Sequence, residues 1–187
     1  MRAGTVLSLA SALVAICLSQ STLPQGNEAH TRPSAVASSA WLQAMAPKLS
    51  EAMPENKARL EFLRIVAYES KRAGVDAQLV LALTEKASQF RKYSVAASGA
   101  RGYMQIHPNW LTKIGEPSHN LFSTRTNIRY GCVLLRQFLD EHKENYAHAL
   151  TVYEQQISGR FDERITATSP FAEDVITLWR GKWSYSE

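Results

Sequence analysis

The side chains able to do chemistry gather in one irregular stretch. It reads Ser88-Gln89-Phe90, then Tyr93-Ser94-Val95, then Gly99-Ala100-Arg101-Gly102-Tyr103-Met104-Gln105-Ile106-His107-Pro108. Downstream come Asn120-Leu121, Asn127-Ile128, Gly131, Ala149-Leu150 and Tyr153. Glu85 lies just before the stretch, and Glu154 follows Tyr153. A carboxylic acid in an apolar pocket can start protonated, donate its proton and later take one back. Gly99 and Gly102 permit turns with positive φ. No metal is expected: His30, His107, His119, His142 and His148 show no ligand spacing such as His-Glu-x-x-His. No cofactor is expected either. Cys132 sits in the apolar run Cys132-Val133-Leu134-Leu135 and reads as a packed core thiol, not a nucleophile.

Helices must position this stretch. Leu60, Leu63, Val66, Ala67 and Ser70 recur at three- and four-residue steps, and Gly74 supplies a stop. Asp76 can cap the next helix, with Leu79, Val80, Leu83 and Ala87 on one face. Glycines and small residues break the helical period from Ser94 to Trp110, which predicts a loop or small extended region. A strong helix follows from Asn127 to His142, and Ala147 to Tyr153 is helical again. Ser169-Pro170 is a cap with proline at the first helical position, opening a helix through Trp183.

The 187 residues are 45% hydrophobic and 20% charged, which excludes a wholly disordered or collagenous chain. The 21 Lys and Arg against 17 Asp and Glu give a formal charge of +4, suited to an acidic partner without choosing one. The basic residues are scattered along the chain and argue against a nucleic-acid partner. Arg2 and the apolar run Val6 to Leu18 read as a secretory signal; the run is short of the roughly 20 apolar residues that span a bilayer. The expected divisions are a signal peptide at 1–20, a flexible tether at 21–54 with a short amphipathic turn around Trp41, Leu42 and Met45, and a folded domain at 55–187. No transmembrane segment is expected in the mature chain, which is exported to the periplasm or cell envelope.

The ordered blocks resemble the soluble lytic transglycosylase (SLT) family, glycoside hydrolase family 23. Its pattern runs Glu-Ser-x-Phe, Val-Ser after a small residue, Gly-Ala-x-Gly-Leu-Met-Gln, Asn-Leu, Asn-Ile-x-x-Gly and Ala-Tyr-Asn. The likeness is strong over 78–135 and looser as far as Trp183. It implies a mainly α, lysozyme-like fold with a small β-region at the cleft. It also implies cleavage of the β-1,4 bond between N-acetylmuramic acid and N-acetylglucosamine. There one carboxylic acid protonates the leaving oxygen, then takes the proton of the muramoyl 6-hydroxyl to form a 1,6-anhydro product, without metal or cofactor. By resemblance the substrate-binding positions are Ser88, Ala96, Gln105, His107, Tyr153 and Glu154. Gln105 can equally be a loop-orienting amide, Tyr153 a core residue, and Trp110 either a core residue or a sugar platform.

Tyr103 stands in place of the pattern's Leu and reads as packing, and three further departures bear on the chemistry. Phe90 sets the register, because Gly99, Gly102 and Gln105 then fall in place without a gap. The family's catalytic glutamate then falls on Ala87, the serine of Val-Ser on Ala96, and the asparagine after the tyrosine on Glu154. Alanine neither gives nor takes a proton, and acid–base catalysis is worth roughly 10²- to 10⁴-fold. Activity is therefore expected to be lost or strongly impaired. Glu85 is two residues from Ala87, a rotation of about 200° along a helix, and should face elsewhere. Glu154 is the candidate replacement acid. Two alternatives stand beside a weakened enzyme: a non-catalytic envelope protein that binds peptidoglycan or a protein partner, and an engineered inactive variant. The loss of three family residues together favours natural decay over a single engineered change.

Overall fold

The computed structural model of the protein describes residues 37–160, 165 and 167–186. Seven α-helices carry the fold among these residues: α1 Ser39–Met45, α2 Asn56–Ala73, α3 Ala77–Ser88, α4 Asn109–Ile114, α5 Thr124–Glu141, α6 Tyr146–Ser158 and α7 Pro170–Arg180. A 3-10 turn at Pro47–Leu49 follows α1. The mainly helical architecture expected from the sequence is the one observed. The small β-region is two isolated antiparallel bridges, Val95 with Arg101 and Arg101 with Ile106.

Local chemistry sets the helix ends. The Glu55 carboxylate accepts the amide N–H of Lys57 and Ala58 at the start of α2, and Gly74 ends that helix at φ 69°. The Asp76 side chain accepts Gln78 N–H at 2.7 Å, so the expected cap of α3 is in place. Ser169 caps α7, with Pro170 at its first position. α7 stops at Arg180, and Trp183 lies beyond it in a turn where its N–H reaches Leu178 O. The short α4 after Pro108 was not expected.

Helix α3 is the central element. Leu79 to Thr84 are all fully buried, so the helix is enclosed on every side rather than along the one expected stripe. It packs against α2 and α7; α5 packs on α2 and α6, and α6 on α7.

The tether expected at 21–54 needs correction. Trp41, Met45 and Leu49 repeat every four residues and are 7%, 0% and 1% exposed. That stride makes an apolar face, and α1 packs it toward α2. Ser38 caps α1 by accepting Trp41 N–H at 3.1 Å. The amphipathic turn expected around Trp41, Leu42 and Met45 is a full helix whose face belongs to the core. The expected signal at 1–20 and the rest of the expected tether, up to residue 36, lie outside the described residues.

Candidate functional site

The C-terminal end of α3, the turn at 94–106 and α6 converge on one region. Two left-handed residues, Gln89 at φ 54° and Phe90 at φ 58°, break the chain out of α3. Phe90 anchors the exit by packing edge-on against Phe62 and Trp183. Ser88 is fully buried, and its hydroxyl donates to Tyr103 O at 2.7 Å.

The turn folds on itself and is clamped from α5. Ala96 N–H donates to Ala100 O, Gly102 N–H to Ser94 O, and Arg101 and Ile106 exchange both backbone bonds. Asn127 is fully buried. Its amide donates to Arg101 O and Leu121 O, each at 2.8 Å, and its carbonyl accepts Met104 N–H at 2.7 Å. Two glycines make room for this clamp. Gly102 has φ 79°, and a Cβ there would meet Asn127 Nδ2 at 2.4 Å. A Cβ at Gly131 would meet Met104 Sδ at 2.1 Å. The spacing of Gly102, Met104, Asn127 and Gly131 is thus a packing requirement.

Several residues assigned to the cleft by resemblance face inward. Gln105 is 3% exposed, and its amide donates to Gly102 O at 2.8 Å and Ser94 O at 3.2 Å; it orients the loop. Tyr153 is 1% exposed and donates to Met104 O at 3.0 Å. Burial, with a smaller contribution from Cys132, pushes its phenol well above the ordinary value. Trp110 is buried as well, edge-on to Phe138. His107 is half-buried. Its Nδ1 accepts Asn109 N–H at 3.2 Å, so Nε2 carries the proton that meets Ser98 O at 3.0 Å in the neutral ring.

Ala87 is half-buried and lies against the core. Ala96 is half-buried and brings only its backbone to the turn. Glu154 is half-buried on α6, and its carboxylate faces Arg160 at 3.8 Å. The Ser98 hydroxyl donates to Ile157 O, tying the turn to the end of the same helix. Glu85 turns away to the C-terminal segment: one oxygen meets Lys182 Nζ at 2.6 Å and the other accepts Trp183 Nε1–H at 2.7 Å.

Sequence reasoning missed the clamp role of Asn127, the Ser98 link and the partners of Glu85. The fixed distance from Asn127 to Gly131 carried a signal for the first; the other two join residues far apart in the chain. Among the described residues no group of three or more His, Cys, Asp and Glu is arranged to hold a metal ion.

Comparison with known proteins agrees with the blocks that position this region. The sequence profile of the transglycosylase SLT domain matches residues 64–168, more than half of the chain. The membrane-bound lytic murein transglycosylase C of Glaesserella parasuis serovar 5 (strain SH0165) is 32% identical over 92 residues, which are 44% of this chain and 25% of that protein. The chain thus matches about a quarter of that relative's length. An inactive mutant of the lytic transglycosylase Slt from Pseudomonas aeruginosa aligns over 75% of this chain and 26% of that one, at 22% identity and a TM-score of 0.47. With the profile spanning α2 to the approach to α7, the chain belongs to the transglycosylase SLT domain family.

Proposed function

We propose that this chain is a peptidoglycan-binding member of the family that has lost glycan cleavage. One observation carries the reading: alanine stands at position 87, where the family pattern has its catalytic glutamate. The neighbouring carboxylates support it. Glu85 is held by Lys182 and Trp183, and Glu154 is paired with Arg160. Both carboxylates are thus engaged by partners away from position 87. The turn beside position 87 is firmly held, from the Asn127 clamp to the Tyr153–Met104 bond.

The ligand in this reading is the glycan strand of alternating N-acetylmuramic acid and N-acetylglucosamine. The protein works in the cell envelope, exported by the signal at its N-terminus, and either holds wall strands or offers them to an envelope partner. The relative from Glaesserella parasuis is named as membrane-bound, which suits that location. Among the described residues no helix is long and apolar enough to cross a membrane. The test incubates purified wall sacculi with the protein and assays release and retention separately. Retention without anhydro-muropeptide release supports the reading; release by the unmodified chain contradicts it.

A further inference from the structure

The cations that look scattered along the sequence are segregated by sign. Residues 86–139 carry Lys86, Arg91, Lys92, Arg101, Lys113, Arg125, Arg129 and Arg136 against the single acid Glu116. Three of these are internally balanced: Lys86 by Asp174, Arg129 by Glu69, and Arg136 by Asp140 and Glu144. Among the described residues, Arg91, Lys92, Arg101 and Arg125 have no carboxylate partner.

Two of the unbalanced cations share a face with exposed apolar side chains. Val95 and Arg101 are bridge partners, so their side chains stand on the same side of the pair. Tyr93 stands beside this pair, in the turn that Ser94 N–H closes onto Arg91 O just before Val95. Tyr93 is 72% exposed and Val95 58% exposed, far more than their packing would suggest for residues beside a buried turn. The Tyr93 ring lies 5.8 Å from that of Phe122, and Lys92 Nζ stands 5.4 Å from the Tyr93 ring centre. Phe122 is half-buried and leans on Tyr93, so the surface is a shallow aromatic shelf with a cationic border rather than an apolar prong.

We propose that this shelf, built from Lys92, Tyr93, Val95, Arg101 and Phe122, holds the acidic stem peptides that hang from peptidoglycan glycan strands. The inference rests on the reading of the chain as a wall-strand binder. It adds which part of the polymer is gripped, and where. Once the lactyl groups of the strand are amide-linked to peptides, the amino-sugar backbone is neutral. The polymer's negative charge then lies in peptide carboxylates, which match Lys92 and Arg101. The apolar parts of the peptides match Tyr93, Val95 and Phe122.

The full chain, its Lys92→Ala/Arg101→Ala double variant and a Tyr93→Ala variant are titrated with three probes. These are soluble strands bearing stem peptides, the same strands stripped of peptides by an amidase, and vesicles of phosphatidylglycerol and phosphatidylcholine. Tyr93 and Arg101 are exposed and Lys92 is half-buried, and circular dichroism checks that each variant folds. Stem-bearing strands should bind the double variant about tenfold more weakly and Tyr93→Ala several-fold more weakly. The wild-type advantage should shrink as salt rises, and stripped strands should bind all three proteins alike. Equal binding of stem-bearing strands to wild type and double variant overturns the proposal. So does vesicle binding that depends on the same residues without any preference for stem-bearing strands. If wild type binds stem-bearing strands but no stripped strand, the glycan reading fails while the shelf stands.

Discussion

The Glu85 carboxylate accepts the Trp183 indole N–H at 2.7 Å and meets Lys182 Nζ through its other oxygen at 2.6 Å. This joins the last turn of α3 to the segment after α7, and Trp183 is fully buried beneath it. The carboxylate closest in sequence to position 87 therefore serves as an anchor for the C-terminus. Truncation by Trp183→Ala should cost about 3–5 kcal/mol, and Trp183→Phe, which keeps most of the packing, clearly less. Urea denaturation of both variants measures the difference. Equal losses would mean that the indole–carboxylate bond, and not the packing of the ring, carries the anchor.

The Asn127 clamp should dominate the stability of the central turn. Asn127→Ala leaves Met104 N–H, Arg101 O and Leu121 O without their buried partner and should cost on the order of 3 kcal/mol. Gly102→Ala adds a Cβ at positive φ against Asn127 and should destabilise by more than about 1 kcal/mol. Chemical denaturation with a constant slope reads both losses.

Alkaline pH should weaken the fold in a defined window. Burial pushes the Cys132 thiol from an ordinary 9.0 up to about 12, with smaller opposing and reinforcing effects from Ser70 and Glu69. Tyr153 is raised in the same direction. Between the unfolded and folded values the native state keeps a proton that the unfolded chain releases. Stability contributed by the thiol is intact below about pH 9 and falls as pH rises toward 12, at about 1.4 kcal/mol per pH unit. Cys132→Ala should flatten part of that decline in denaturation curves taken from pH 8 to 11. A thiol reagent at pH 8 should label the native chain only as fast as it opens.

Much of the frame was legible because its signals are local. Asp76, Gly74 and Ser169-Pro170 act on their own helix ends, so reading them needs no tertiary knowledge. The family blocks around Gly102 and Asn127 placed the turn correctly. Burial was harder. Gln105 and Tyr153 belong to the site's motifs, yet each spends its polar atoms on the backbone of the turn, a fact set by packing from α5 and α6. Trp41, Leu42 and Met45 read as an amphipathic turn, but the prolines and serines around them kept that turn in a tether and left Leu49 out of its four-residue stride. The charge segregation of 86–139 was readable by counting; its concentration on the Tyr93 shelf required the Val95–Arg101 bridge.

Glu154 offers a sharp contrast with position 87. Its pairing with Arg160 at 3.8 Å predicts that Glu154→Gln leaves wall binding within about twofold and changes no release of product. A pull-down on sacculi with parallel product assay checks both. Cleavage that disappears in Glu154→Gln would move the acid to α6.

The central claim is that Ala87 is where catalysis was lost. The most direct measurement is anhydro-muropeptide release from sacculi by the unmodified chain and by Ala87→Glu, resolved by chromatography with mass detection. The account predicts release no greater than a blank for the unmodified chain. It predicts partial recovery for Ala87→Glu, held back because Ala96 and Glu154 still depart from the family pattern and misplacement of substrate can cost about 10²-fold. Robust release by the unmodified chain, unaffected by the substitution, would contradict it.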